Sequence, residues 1–409
     1  MKVIKPYSKK FQELFHRFAR RNRLIEERVR RIIEDVKHNG DEAVVRYTRK
    51  FDKVKLLPRE FRVAENEING AYQNISSDFV SSLKMAVENV NRFYRKQIKR
   101  SWKMMSDEGV VLGERIRPLE SVGIYIPSGT APLPSTVYMT VLPAKLAGVE
   151  KIVLVTPPNK YKSVDPHILA VANLLKVDAV YKVGGAQAIA ALAFGTKTIP
   201  RVDKIVGPGN AYVAEAKRQV FGYCDIDMVA GPSEVVVLAD DTSDPDFVAA
   251  DLLAQSEHAM GTAILVTTSK RLAKQIKKVP ARGYILVVRN LNRAVDVINQ
   301  IAPEHLQIMV KNPQRILKDV KHAGAIFVGA FTPTVVGDYI AGPSHVLPTN
   351  GTARFFSGIG LQDFLKSSHV VSYTKKALEK VRGVVEHLAA LEGLTKHTES
   401  IKIRFGKEK

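Results

Sequence analysis

Between residues 23 and 37, apolar side chains recur at Leu24, Ile25, Val29, Ile32, Ile33 and Val36. That spacing is close to the helical period and puts them on one face of a helix. Residues 41–51 and 77–96 follow the same rule, so the first hundred residues read as a helical N-terminal region. From about 121 the pattern changes. Short β-branched runs (VGIYIP at 122–127, KIVLVTPP at 151–158, AVYKVGG at 179–185, DKIVGPG at 203–209) alternate with helical stretches at 166–176, 186–194 and 210–220. A second series follows, with strands expected at 234–240, 263–269, 284–289, 305–310 and 325–330 and helices between most of them. The helix expected at 244–258 opens on Asp244 as its cap and Pro245 as its first residue. Strand and helix in alternation predict βαβ units and parallel sheets. After about 360 the chain again reads as helical, chiefly at 381–392.

Composition narrows the picture. A chain of 409 residues is too long for one ordinary core and suits two or three domains. Its single cysteine, Cys224, excludes an internal disulfide and a cysteine-built zinc site, so any metal must be held by histidine, carboxylate or amide oxygen. The N-terminus, MKVIKPYSKK, lacks the apolar stretch of a signal peptide, and no run of 18 apolar residues occurs, so a cytoplasmic protein without a membrane span is expected. The formal net charge is +21. Much of the excess sits in residues 16–33, but Glu26, Glu27, Glu34 and Asp35 are interleaved there and aromatic residues are sparse. A solvated basic face is preferred to a nucleic-acid surface on that pattern.

Four constellations are candidates for chemistry. Gln255-Ser-Glu-His258 ends a capped helix, and a separation of three puts Gln255 and His258 on one face; a histidine interacting with the helix dipole is the plainer alternative. Glu304-His305, between a helix and a strand, reads as two general bases or as a surface pair. Residues 337–345, GDYIAGPSH, form a polar glycine-rich loop outside strand ends, where α/β folds build sites. Asp338 is a candidate metal ligand there, and His345 is a ligand or a structural residue. In LEGLTKH at 391–397, Gly393 could simply end a helix and leave Glu392 and His397 exposed. Glycine turns follow three strands, at 183–187, 206–210 and 230–233, where backbone can approach a ligand and the next helix N-terminus favours anions. Gly207 and Gly209 match a dinucleotide fingerprint only partly.

Taken together, these motifs resemble the histidinol dehydrogenase family. The resemblance is carried by GIYIPSGTAPLPSTVYMTVLPAKLAGV, VGGAQAIAALAFGT, VDKIVGPGNAYVAEAK, IDMVAGPSEVVVLAD, VAADLLAQSEH, APEHLQ, GAIFVG, GDYIAGPSHVLPTNGTARFFSG and LEGLTKH, in family order from about 121 to 397. It implies an α/β fold of two Rossmann-like parallel-sheet domains with a helical N-terminal region and a helical C-terminal tail. The expected division is an N-terminal helical arm at 1–20, a first α/β domain from 21–124 plus 234–360, a second at 125–233, and a tail at 361–409 that reaches the partner subunit. It implies oxidation of L-histidinol to L-histidine through L-histidinaldehyde, with NAD as hydride acceptor and one zinc ion per subunit positioning the substrate. Zinc ligands would be Gln255, His258, Asp338 and, from the partner of a homodimer, His397. The bases would be His305 for the alcohol and Glu304 for aldehyde hydration. Ser233 and Glu392, together with the zinc ligands and His305, would contact substrate, and Tyr125, Gln187 and Asn210 would contact NAD. The chain departs from the family pattern at Ser128, Leu133, Phe194 and Ala259.

Overall fold

The computed structural model describes residues 1–15, 22–128, 131–258 and 260–406. Ala259 and the basic residues 16–21 lie outside the described residues. The chain divides into two compact units, Met1–Ile98 with Leu119–Phe364, and Lys99–Pro118 with Leu365–Lys409.

The larger unit is α/β and holds two parallel sheets. The five-stranded one has β4 (Ser121–Tyr125) at its centre, flanked by β5 (Lys151–Thr156) and β6 (Ala179–Lys182) on one side and by β7 (Lys204–Val206) and β8 (Asp225–Ile226) on the other. The six-stranded one runs β1 (Lys2–Ile4), β11 (Gly283–Val287), β10 (Thr262–Thr267), β9 (Glu234–Ala239), β12 (His305–Met309), β13 (Ala325–Val328). All pairings in both are parallel. β9 and β12, inner strands of the six-stranded sheet, are buried at every position and apolar except at Glu234, His305 and Gln307, as a sheet covered on both faces requires.

Three expectations change. The N-terminal arm is not all helix: Lys2–Ile4 is a strand paired with β11, ahead of a helix at Lys9–Phe15. The helix Arg23–Phe51 is continuous except for Gly40, which takes a non-helical φ of 49°. It packs on the helices Gly185–Phe194 and Ala211–Val220, and residues 29–61 share one core with residues 125–224, whereas the expected division grouped them with 234–360. The tail, expected as helix alone, begins as a strand.

The smaller unit holds that strand. β14 (Leu365–Ser372) pairs antiparallel with β3 (Val111–Pro118), which pairs antiparallel with β2 (Trp102–Met105). Helices Lys375–Leu391 and Thr395–Lys402 follow. Among its described residues only Ala377 and Ala389 are buried hydrophobics, while Met105, Leu391 and Ile403 are each more than 70% exposed. No helix among the described residues is long and apolar enough to cross a membrane.

One buried carboxylate in the larger unit has a measurable cost. Asp52 ends the helix Arg23–Phe51, and one of its carboxylate oxygens is buried without a hydrogen-bond partner. Burial pushes its pKa up from 3.8 to about 6. The folded state therefore binds this proton more tightly than the unfolded chain, so the penalty is fully present above pH 6 and is relieved as pH falls toward 4. Asp52→Asn is expected to stabilise the protein by roughly 2 kcal/mol at pH 8, with the gain disappearing near pH 4. Denaturant melts of both proteins across that range check it; an equal difference at both ends would show that the charge carries no penalty.

Candidate active site

The helix Leu291–Ile301 stops at Ala302, whose φ of 48° turns the chain, and β12 begins two residues after Pro303. β12 lies beside β9 with His305 opposite Val235. That register sets Glu304 and His305 against the start of β9. The Glu234 amide donates to Glu304 Oε2 at 2.8 Å, and the His305 Nδ1–H donates to the Glu234 carbonyl at 3.2 Å. Because Nδ1 is engaged by a carbonyl, which only accepts, Nε2 is the ring atom left for chemistry. It lies 3.9 Å from the half-buried Asp338 carboxylate.

Both members of this pair are buried, at 6% exposure each. Burial alone would raise the Glu304 carboxyl, but the charge and hydrogen bond of His305, with donors from Ser233 and the Glu234 amide, hold it below its usual range. Burial likewise lowers His305, and the Glu304 carboxylate overcomes it, with help from Asp338, raising the imidazole to about 9. At neutral pH the chain therefore holds the two as imidazolium and carboxylate.

Gln255 joins from the helix Pro245–Glu257, donating from Nε2 to Ser233 Oγ at 3.0 Å. Ser233, Gln255, Glu304, His305 and Asp338 thus form one connected group. The expected face shared by Gln255 and His258 is not present. The helix ends at Glu257, His258 is extended at ψ 132°, and its side chain is exposed while that of Gln255 is buried. This group also sits at the amino ends of β9, β10 and β12, not beyond the carboxyl ends where α/β sites are commonly built.

Asp338 stands in the short helix Val335–Tyr339 rather than in the expected loop, and the segment from it to His345 is clamped from the other half of the unit. His345 is half-buried and its pKa is lowered, chiefly by desolvation, so it is a neutral ring. Nδ1–H donates to the Asp338 carbonyl at 2.8 Å, and Nε2 accepts from Thr136 Oγ1 at 3.2 Å. His345 is thus a structural residue of that segment. Tyr138 donates to the Tyr339 carbonyl at 2.8 Å, and Asn89 to the Ile340 carbonyl at 2.9 Å. The buried Tyr94 hydroxyl accepts from the Ser344 amide and donates to the Ile359 carbonyl. Sequence reasoning gave no role to Thr136, Tyr138 or Tyr94, although the first two lie within GIYIPSGTAPLPSTVYMTVLPAKLAGV, because a hydroxyl on a helix carries no local sign of the group it will meet.

A second group lies at the carboxyl ends of the five-stranded sheet. The Tyr125 hydroxyl accepts from the Gly185 amide at 3.1 Å, where the helix Gly185–Phe194 begins. Gln187, in its first turn, is fully buried with both amide atoms unpartnered. The exposed Asn210 caps the helix Ala211–Val220 through the Tyr212 and Val213 amides. Gly207 has a φ of 114°, and a Cβ there would meet the Tyr125 carbonyl oxygen at 2.3 Å, so the turn requires glycine. Orphaned amide atoms beside a close backbone approach and two helix N-termini fit a phosphate-bearing dinucleotide.

The donor set for a metal is one amide oxygen (Gln255), one imidazole (His258) and one carboxylate (Asp338), which suits a borderline cation such as zinc. Among the described residues no three His, Cys, Asp or Glu side chains gather to hold a metal by themselves. Glu392 caps the end of the helix Lys375–Leu391 and His397 lies in the helix Thr395–Lys402, both exposed, in the smaller unit. Of the departures, Ser128 is half-buried, Leu133 precedes the helix Pro134–Ala147, and Phe194 packs on the core of the five-stranded half.

The family model "Histidinol dehydrogenase" matches residues 16–282 and 277–405. A histidinol dehydrogenase of Clostridium acetobutylicum is 48% identical over 97% of this chain and 96% of its own. One of Bacillus cereus is 50% identical over 94% of each. The crystal structure of histidinol dehydrogenase from Elizabethkingia anophelis superposes with a TM-score of 0.92 at 37% identity, covering 99% of this chain and 98% of the other.

Proposed function

The chain belongs to the histidinol dehydrogenase family, and on that premise we propose that its two groups of residues hold L-histidinol and NAD for two successive hydride transfers yielding L-histidine. The enzyme is an oxidoreductase of histidine biosynthesis. The observation that carries the assignment of its chemistry is the buried Glu304–His305 pair against Asp338.

Gln255, His258 and Asp338 would hold zinc together with the partner's His397, and Ser233 and the partner's Glu392 would contact substrate. When bound, zinc supplies a positive anchor without redox chemistry, and NAD supplies the acceptor for hydride. Tyr125, Gln187 and Asn210 would bind the dinucleotide. His305 acts from its neutral form, which positive charge engaging Asp338 favours by weakening one of the attractions that keep the ring protonated, and Nε2 then takes the substrate hydroxyl proton as the first hydride leaves. Glu304, anchored by the Glu234 amide, then draws a proton from the water that hydrates histidinaldehyde, and the hydrate loses the second hydride. A cytoplasmic location accords with this biosynthetic role.

The smaller unit supports a homodimer. Its apolar side chains outnumber what its own core buries, as expected of a surface made for a partner. We read that partner as a second copy, each tail completing the other subunit's site.

Purified protein supplied with L-histidinol and NAD is expected to form NADH, to lose nearly all turnover after a strong chelator, and to regain it with zinc. Unchanged turnover in demonstrably metal-free protein would remove zinc from the reading.

The two bases should separate by half-reaction. His305→Asn is expected to slow alcohol oxidation and Glu304→Gln the oxidation of supplied histidinaldehyde, each by roughly a hundred- to ten-thousandfold. Wild-type aldehyde oxidation by Glu304→Gln would reject its role.

Subunit exchange tests the shared site. Mixing inactive His258→Asn with inactive His397→Asn should restore activity up to about a quarter of wild type, because half the dimers then carry one intact site. No recovery, with exchange demonstrated, would place the tail in its own subunit's site or in none.

A further inference from the structure

Behind the glycine turn at residues 207–210 lies an ion pair with no part in the mechanism above. Lys217, on the helix Ala211–Val220, contacts Asp227, and their side chains are 2% and 0% exposed. Lys217 Nζ also donates to the Gly207 carbonyl at 2.9 Å, and the Gly207 amide donates to Asp227 Oδ2 at 2.8 Å. The Met228 amide donates to Asp227 Oδ1 at 2.6 Å. Both polar groups of one glycine are therefore held by the two members of a buried pair.

We propose that Lys217 and Asp227 are positioning residues for the dinucleotide, fixing the Gly207–Asn210 turn against Tyr125 so that its backbone meets the phosphates in one geometry. This rests on reading that turn as part of the NAD site. Desolvating two charges gains little over packing two apolar side chains of similar volume, so stability alone does not account for the pair. Its return is specificity of backbone placement. Pro208 fixes its own φ and Gly209 packs on Val213, but the polar groups of Gly207 itself are held by the pair, and Asn210 ties only the first turn of the following helix. A Cβ at Gly207 would lie 2.3 Å from the Tyr125 carbonyl oxygen, so a small drift of the turn changes the site directly. Neither charged group reaches the surface, so both act through the Gly207 backbone.

The test measures NAD binding by calorimetry, kinetics and thermal unfolding on the whole zinc-loaded protein. Asp227→Asn keeps the shape and removes the charge. It is expected to raise Kd and KM for NAD about tenfold, with kcat at saturating NAD and KM for L-histidinol within about twofold of wild type. The double variant Lys217→Met/Asp227→Leu should recover much of the melting temperature lost by Asp227→Asn, since no charge is left unpaired, yet keep the weak NAD binding. Recovery of NAD affinity together with the melting temperature would overturn the proposal. So would parallel loss of kcat and of both KM values in Asp227→Asn. Tyr125→Phe separates the two readings. If it weakens NAD binding and the pair variants do not, the positioning role fails alone; if none of them does, the NAD site is elsewhere and both fail.

Discussion

Parallel pairing of β9 with β12, His305 opposite Val235, is the constraint from which the site follows. A shift of one residue would turn His305 to the other face of the sheet. In the observed register the Glu234 backbone serves both partners, donating to Glu304 and accepting from His305. An isolated buried carboxylate would be expensive, as would an isolated buried imidazolium. Together, with main-chain partners and Ser233, they are tolerated as a pair. The apolar core of the strands, buried at every position, holds the register in which this is possible.

Asp338, on the short helix Val335–Tyr339, reaches the pair from a segment that is held from the other half of the larger unit. Thr136 and Tyr138 stand on the helix that follows β4, Asn89 and Tyr94 on the helix Ser77–Arg95, and all four hold the segment from Asp338 to Ser344 or its neighbours. The two sheets are therefore joined by polar contacts at the site itself. Much of the hydrogen bonding runs to backbone carbonyls and amides, so the segment's path is fixed while its side chains remain available.

The two parallel series were legible because buried strands are apolar runs and their helices carry caps and a 3.6-residue period. Asp244 and Pro245 mark their helix start as expected. The third sheet was not legible. β14 is LKSSHVVS with all but its first residue exposed, and β2 is exposed throughout, so no buried face imprints an alternation. β1 is three residues long and is recruited by β11, a contact across 282 positions (Lys2 to Tyr284) that local pattern cannot carry. At the site, Glu304, His305 and Asp338 stood out as polar residues at element ends. The face predicted for Gln255 and His258 failed because helical spacing was carried one residue past the end of the helix. The clamp through Thr136 and Tyr138 carries no local signal, since a hydroxyl on a buried helix looks like any other core position.

The ends of the two sheets that face their groups differ, and the electrostatics differ with them. In a parallel βα series, helices begin near the carboxyl ends of strands and finish near the amino ends. The Tyr125–Gln187–Asn210 group lies where helices Gly185–Phe194 and Ala211–Val220 begin, so it meets positive dipole ends, which favour anions. The Glu304–His305–Asp338 group lies where helices Pro245–Glu257 and Leu291–Ile301 finish, so it meets negative dipole ends. That environment favours cations. The same chain grammar, read from opposite ends, thus sets one group among helix starts and the other among helix ends. The amino-end placement, uncommon for an α/β site, follows from what the proposed chemistry needs at that end.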